Sequence, residues 1–206
     1  ALPIYATICS NAGFMGNPVV EGIYGSQGLL YASVYLIPLR IFMWSAGLSC
    51  FTVASPKDIV KKLVHHPCII AVVIGMALMP FPDVVPSFLL QTMQSCSKCV
   101  LPVSMIVIGS ILSEADIRKM LKGSTLFYCV VRLLGIPAVT MVVCRLLGMG
   151  ALVTGVCTIL AGMPAGSTTA ILAEKYDGDA KYASECVFLS TVLSLFTMPL
   201  LYMILA

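Results

Sequence analysis

Two short stretches of the chain place polar groups and helix-breaking residues inside apolar segments. The first reads SNAGFMGNPVV and covers residues 10–20, with Asn11, Asn17 and Pro18 among them. The second reads GMPAGSTT and covers residues 162–169. Proline lacks a backbone N–H and clashes with the preceding turn, and glycine loosens the same backbone. Both stretches therefore predict interrupted helices whose freed N–H and C=O groups can bind a solute.

Polar side chains at the same two places would complete such a site. In a bilayer, the backbone groups released by a break must face protein or a wet cavity, since lipid offers them no partners. A proline kink that only serves packing is the alternative for either helix taken alone. Two interrupted helices at corresponding positions favour the binding site of a secondary transporter instead. We expect a site built from Asn11, Asn17, Pro18, Met163, Pro164, Ser167 and Thr168.

The composition is that of a membrane protein. Of the 206 residues, 59% are hydrophobic and 10% are charged, whereas a soluble domain carries about 25% charged residues. So few charges cannot cover a surface that faces water. We expect an all-α, multi-pass protein of the cytoplasmic membrane. The net charge of +3 is not concentrated in a basic run, so no nucleic-acid partner is expected.

Seven apolar segments are long enough to cross a bilayer, which takes about 20 residues. They are 2–24, 28–54, 63–81, 87–112, 124–147, 150–173 and 183–205. Strict alternation of apolar and polar residues is absent, which argues against strands. Ala1 already lies in an apolar run, so we expect the chain to be a fragment that lacks its N-terminal part.

Lysine and arginine predict the orientation of these segments. They concentrate in the connections 55–62, 113–123 and 174–182, which we therefore place in the cytoplasm. The first and sixth segments then run in opposite directions. Each carries glycine and proline, then an acid, a tyrosine and the sequence Tyr-Ala-Ser. This similarity predicts an inverted internal repeat.

Two cations lie deep in the predicted helices. Arg40 and Lys98 stand well inside their segments, and no acidic residue is expected at the same depth. Charged side chains inside a membrane are costly and usually functional, so the pair favours an anionic substrate. The alternative is that each cation binds backbone carbonyls at a helix break. Arg132 lies nearer a helix start and is expected to reach the cytoplasmic surface.

Three long motifs resemble the auxin efflux carrier family, which includes the plant PIN exporters and bacterial permeases. They are SNAGFMGNP, LPVSMIVIGSIL and MPAGSTTAILAEKYDGDAKYASECVFLSTVLSLFTMPLL. The resemblance implies ten helices in two inverted five-helix repeats with crossing broken helices, a fold similar to sodium/proton antiporters and bile-acid symporters. The seven segments then match helices four to ten, with residues 1–54 ending the first repeat and 55–206 forming the second.

The resemblance also implies roles for individual residues. Pro18 and Pro164 match the prolines of the crossing helices, and Asn11 matches the polar residue of the crossing. Asn17 departs from the family pattern, which usually has an aliphatic residue there.

These observations predict a permease that moves a small organic anion by alternating access. A carboxylate such as malate or an auxin-like acid is the expected substrate, with no cofactor or metal. A sodium- or proton-coupled symporter of the same fold is the alternative. A membrane enzyme, either an intramembrane protease or a thiol oxidoreductase, would need a nucleophile with a base or a reactive dithiol. No deep histidine or aspartate lies near a suitable serine, and the pair Cys96 and Cys99 has no second pair or nearby histidine to complete a site. We therefore expect no enzyme. A homodimer is left open.

The orientation can be tested by cysteine accessibility in the full-length protein, with the parent protein as background. Cysteines at Asp58 and Asp179 should resist an impermeant thiol reagent added outside intact cells, because both loops are cytoplasmic. Permeabilised cells should show labelling at both positions. A cysteine at Asp83, in an outer connection, is the positive control. Labelling of either cytoplasmic position from outside would contradict the orientation and the inverted repeat together.

Overall fold

The computed structural model describes residues 2–44, 47, 51, 67–78, 80–81, 85–113 and 122–205. Every regular element in these ranges is a helix, and the only β-type pairing within them is an isolated bridge between Ser10 and Ala165. The all-α expectation is therefore confirmed for the described part of the chain. The predicted loop 55–62 and most of 113–123 lie outside it.

The helices follow one another in a simple order. They are α1 (Leu2–Ile8), a first π segment (Ala12–Gly16), α2 (Asn17–Trp44), α3 (Pro67–Leu78), α4 (Ser87–Ser113), α5 (Gly123–Val130), a second π segment (Val131–Gly135), α6 (Ile136–Leu146), α7 (Ala151–Ala161), α8 (Thr168–Lys175) and α9 (Ala180–Leu205). The π segments continue directly into α2 and α6, so the chain is helical without a gap from 123 to 146.

Two helices of the described part are long and apolar enough to cross a membrane. They are Gly123–Leu146 and Ala180–Leu205, and they match the predicted segments 124–147 and 183–205. The segments predicted at 2–24 and 150–173 are each divided, as their glycines and prolines indicated. The end of segment 28–54 and the start of segment 63–81 lie outside the described residues.

The first interruption lies earlier than its proline suggests. The chain leaves the helix after Ile8 and resumes it as a π segment at Ala12. Pro18 is the second residue of α2, which continues directly from this π segment, so the proline lies within resumed helix and not at the interruption. The predicted connection before segment 28–54 is reduced to a kink at Gly25, whose φ of 65° and ψ of −158° suit glycine alone.

The two interruptions pair with each other through their backbones. The Asn11 N–H donates to the Pro164 carbonyl at 2.8 Å, and the Gly166 N–H donates to the Cys9 carbonyl at 2.9 Å. The pairing is antiparallel and is centred on Ser10 and Ala165. Groups that the breaks release are thus satisfied by the opposite break, as buried backbone groups must be.

This pairing brings the two backbones too close for a side chain at Gly166. A Cβ atom there would lie 3.0 Å from the Cys9 carbonyl oxygen. Gly16 is restricted in the same way, because its Cβ would lie 2.6 Å from Leu160 Cδ2. Gly16 and Gly166 therefore allow the two broken stretches to pack closely against their neighbours.

Two apolar clusters hold the pairing in place. One is built mainly from alanines and cysteines of α1, α5, α8 and α9, with Ala6, Ala165 and Ala170 fully buried in it. The other joins α2 to α7 through larger side chains such as Leu36 and Ile159. Small residues allow helices to approach closely, so the broken half-helices α1 and α8 pack tightly against α9.

Replacing Gly166 by alanine tests the close approach. The added methyl group would press on a carbonyl oxygen that is held by a hydrogen bond, so we expect a loss of about 1–3 kcal/mol in unfolding free energy. Thermal unfolding of the purified full-length protein measures the effect. Gly123→Ala is the matched control, because a Cβ at Gly123 meets open space. Equal unfolding midpoints for both variants would contradict the packing described here.

Candidate functional site

A cavity of about 630 Å³ lies beside the paired breaks, a volume suited to a small molecule. The first break, α2, α3 and the start of α8 all contribute to its wall. The polar side chains of the wall come from Ser10, Asn11, Asn17, Ser33, Arg40, Ser167 and Thr168. Apolar residues such as Phe14, Leu36 and Met43 form most of the remainder.

The structure brings together five of the nine residues predicted for the site. Those that line the cavity are Asn11, Asn17, Arg40, Ser167 and Thr168. The other four lie elsewhere: Pro18 is exposed in the first turn of α2, Lys98 is exposed on α4, and Met163 and Pro164 are buried. The last two support the site indirectly, Met163 by packing with α2 and α7 and Pro164 through its carbonyl.

Asn11 presents an unused amide to the cavity. The residue is 2% exposed, and within the described part of the chain neither its side-chain oxygen nor its nitrogen has a hydrogen-bond partner. The side-chain oxygen of Asn17 is in the same situation. Buried polar groups without partners cost about 1–3 kcal/mol each. A solute with donors and acceptors would relieve that cost.

Arg40 supplies the positive charge of the cavity. Its guanidinium reaches the first π segment, because Nη2 lies 3.6 Å from the position of a Cβ on Gly13. The side chain is exposed and lines the cavity, and among the described lining residues there is no carboxylate. An anion that entered would therefore meet attraction without a competing negative charge.

Ser167 and Thr168 stand where α8 begins. The N-terminal end of a helix carries a partial positive charge, which adds to the attraction for anions. The Thr168 hydroxyl donates weakly to Met43 Sδ at 3.9 Å, a contact that joins α8 to α2 across the cavity wall.

Arg132 does not reach the cytoplasmic surface, so that expectation was wrong. The residue is 2% exposed, and its Nη1 donates to the Thr7 carbonyl at 3.0 Å. One turn earlier on the same helix, the Tyr128 hydroxyl donates to the Ala6 carbonyl at 2.8 Å. The last carbonyls of α1 attract these donors because no further turn of helix follows to use them. In the sequence, the available sign of this contact was the spacing of Tyr128 and Arg132, which are four residues apart.

Ser190 is a second supporting residue that sequence reasoning missed. Its hydroxyl accepts a hydrogen bond from the Ala165 N–H at 3.1 Å and donates one to the Val187 carbonyl at 3.2 Å. The central residue of the second break is thus tied to α9. A serine in an apolar helix indicated close packing but gave no sign of this contact.

Three aromatic rings connect α1 with the residue that follows α8. Tyr5 meets Phe51 edge to face with ring centres 5.0 Å apart, and Phe51 stacks on Tyr176 at 6.5 Å. Phe51 therefore links both half-helices to the segment that follows α2.

Comparison with known proteins places the chain among transporters. A family model described as membrane transport protein matches residues 50–202. An uncharacterized transporter of Methanothermobacter thermautotrophicus is 30% identical over 199 residues, which cover 95% of this chain and 65% of that protein. An uncharacterized transporter of Methanocaldococcus jannaschii is 25% identical over 206 residues, covering 96% and 66%. The chain thus spans about two thirds of the length of these relatives.

Ser190→Ala tests the support that α9 gives the second break. The buried Ala165 N–H would lose its acceptor, so we expect the unfolding free energy to fall by about 1–3 kcal/mol. Ser194→Ala is the control, because the Ser194 hydroxyl bonds only the Thr191 carbonyl of its own helix among the described contacts. Thermal unfolding should rank Ser190→Ala clearly below Ser194→Ala. The reverse order would contradict the role of Ser190.

Proposed function

The chain belongs to the membrane transport protein family, the auxin efflux carrier family that its motifs resemble, and we propose that it forms the binding site of a secondary transporter for a small organic anion. The family and its transporter relatives make it a membrane transport protein and not an enzyme. A multi-pass arrangement in the cytoplasmic membrane is part of this proposal.

The cavity beside the paired breaks is the observation that carries the proposal. Its wall holds the guanidinium of Arg40, the unpaired amide of Asn11 and the hydroxyls at the start of α8. A carboxylate suits this set, because arginine pairs with it through two parallel hydrogen bonds and the amide N–H₂ can donate a third. A second carboxylate or a hydroxyl on the substrate would find Ser167 and Thr168.

The positive charge at the cavity does not favour cations or neutral solutes. A cation would be repelled by Arg40 and by the positive end of α8. A neutral sugar would gain hydrogen bonds but no Coulomb attraction to Arg40. We therefore propose a carboxylate, with malate and auxin-like acids as the first candidates.

Transport by alternating access is part of this proposal, and the position of the cavity supports it. Its wall combines the two broken stretches with α2 and α3, so a movement of the broken helices against those elements would change its access.

Substitution of two cavity residues in the full-length protein tests the substrate class. A panel of carboxylates, amines and sugars is first screened by thermal shift. Carboxylates should stabilise the parent protein, and Asn11→Ala and Arg40→Gln should each weaken binding about ten-fold or more, as loss of a partner costs about 1–3 kcal/mol. Lys98→Gln is the matched control, because Lys98 is exposed away from the cavity.

The outcome can contradict the proposal in two ways. A selective response to amines or sugars, with none to carboxylates, would overturn the substrate class. Equal losses in Arg40→Gln and Lys98→Gln would show that the cavity described here is not the binding site.

A further inference from the structure

We propose that Arg132 is a built-in cation that holds the negative end of half-helix α1, in the place where coupled transporters bind their coupling ion. In transporters built on broken helices, unwound carbonyls and the C-terminal ends of half-helices coordinate sodium or protons. Arg132 occupies such an end with a covalently attached charge. This inference rests on the proposed function. It predicts that the proposed transport does not depend on sodium.

Three of the last four carbonyls of α1, those of Tyr5, Ala6 and Thr7, already accept hydrogen bonds. The Tyr5 carbonyl accepts from the Cys9 N–H at 2.8 Å, the Ala6 carbonyl from the Tyr128 hydroxyl at 2.8 Å, and the Thr7 carbonyl from Arg132 Nη1 at 3.0 Å. A sodium ion needs several such oxygens at once. At the Ala6 and Thr7 carbonyls it would compete with the Tyr128 hydroxyl and the Arg132 guanidinium.

The charge of Arg132 is compensated by this helix end. The ion pair found within the described residues joins Lys122 to Glu185 at 3.7 Å, and in the same part of the chain no carboxylate pairs with Arg132. An isolated buried charge is very costly. The C-terminal end of a helix carries about half a negative charge, which offsets part of that cost. Arg132 and α1 therefore stabilise each other.

The backbone around Arg132 is adapted to this contact. Arg132 is the second residue of the π segment Val131–Gly135, and π turns inside α-helices occur frequently at functional sites. Nε and Nη2 have no hydrogen-bond partner in the described part of the chain. The guanidinium is thus held mainly by its charge and by one bond to Thr7, which is the behaviour of a bound ion.

A consequence follows for the transport cycle. Thr7 lies three residues before Ser10, the centre of the paired breaks. Arg132 therefore positions the broken helix that carries Asn11 without touching the substrate. Because the charge never leaves, the site would keep the same shape with and without sodium.

Thermal unfolding of the full-length protein, measured without substrate, tests this role. The parent protein should have the same midpoint in sodium and in choline chloride. Arg132→Ala should lower the midpoint by roughly 5–10 °C, and millimolar guanidinium chloride should restore part of the loss. Urea, a neutral molecule of similar shape, should restore none of it. Arg132→Lys should retain most of the stability, since it keeps the charge.

Arg145→Ala provides the control, because Arg145 is exposed in the last turn of α6. It should leave the midpoint unchanged and should not respond to guanidinium. Stabilisation of the parent by sodium over choline would overturn the inference, as would equal effects of guanidinium and urea on Arg132→Ala.

Two further comparisons apply if Arg132→Ala does not fold or if no carboxylate binds. If Arg132→Ala does not fold, the parent in sodium and the Arg132→Lys variant decide the matter, and a collapse of Arg132→Lys to the same degree would refute a role based on charge. If no carboxylate binds the parent protein, the substrate proposal fails while the guanidinium response still establishes the cation at α1.

Discussion

Two backbone hydrogen bonds between Cys9, Asn11, Pro164 and Gly166 set the arrangement of everything around them. Breaking a helix inside a membrane releases polar groups that lipid cannot satisfy. Here each break supplies the partners that the other needs. The cost of both interruptions is removed only when they meet, so the broken helices cannot be placed independently. The cavity, the side chains that line it and the residues that brace it all follow from that meeting point.

The C-terminal end of α1 and the N-terminal end of α8 have opposite polarity, and their surroundings differ accordingly. The negative end of α1 is occupied by protein donors, Tyr128 and Arg132, and is fully buried. The positive end of α8 faces the cavity through Ser167 and Thr168. A pair of interrupted helices could in principle attract ions of either sign. Because protein donors occupy the negative end of α1, only the positive end of α8, which attracts anions, is open to a solute.

Sequence reasoning located this region because its signals are local. Glycine, proline and asparagine inside apolar runs predicted both interruptions, and five of the predicted residues meet at one cavity. The exact place of the first break was missed, because the helix already resumes at Ala12 and Pro18 lies within the resumed helix. The positions of Lys98 and Arg132 in the fold could not be predicted for a different reason. Depth along a helix says nothing about the face on which a side chain lies, and only tertiary packing shows that Arg132 points at a helix end while Lys98 is exposed. The contact of Ser190 with Ala165 joins residues that no sequence pattern connects.

The two π segments carry a consequence for how such a chain can change over evolutionary time. A π turn holds one residue more than the α-helical turn it replaces, so Ala12–Gly16 and Val131–Gly135 each differ from regular helix by a single codon. Because the π turn takes up the extra residue locally, deletion of one residue there would restore ordinary helix while Asn17 and α6 keep their faces. Deletion of one residue from a regular turn of α2 or α6 would instead rotate all that follows by about 100°. Single-residue changes in length should therefore be tolerated better within these two segments than in the regular turns beside them.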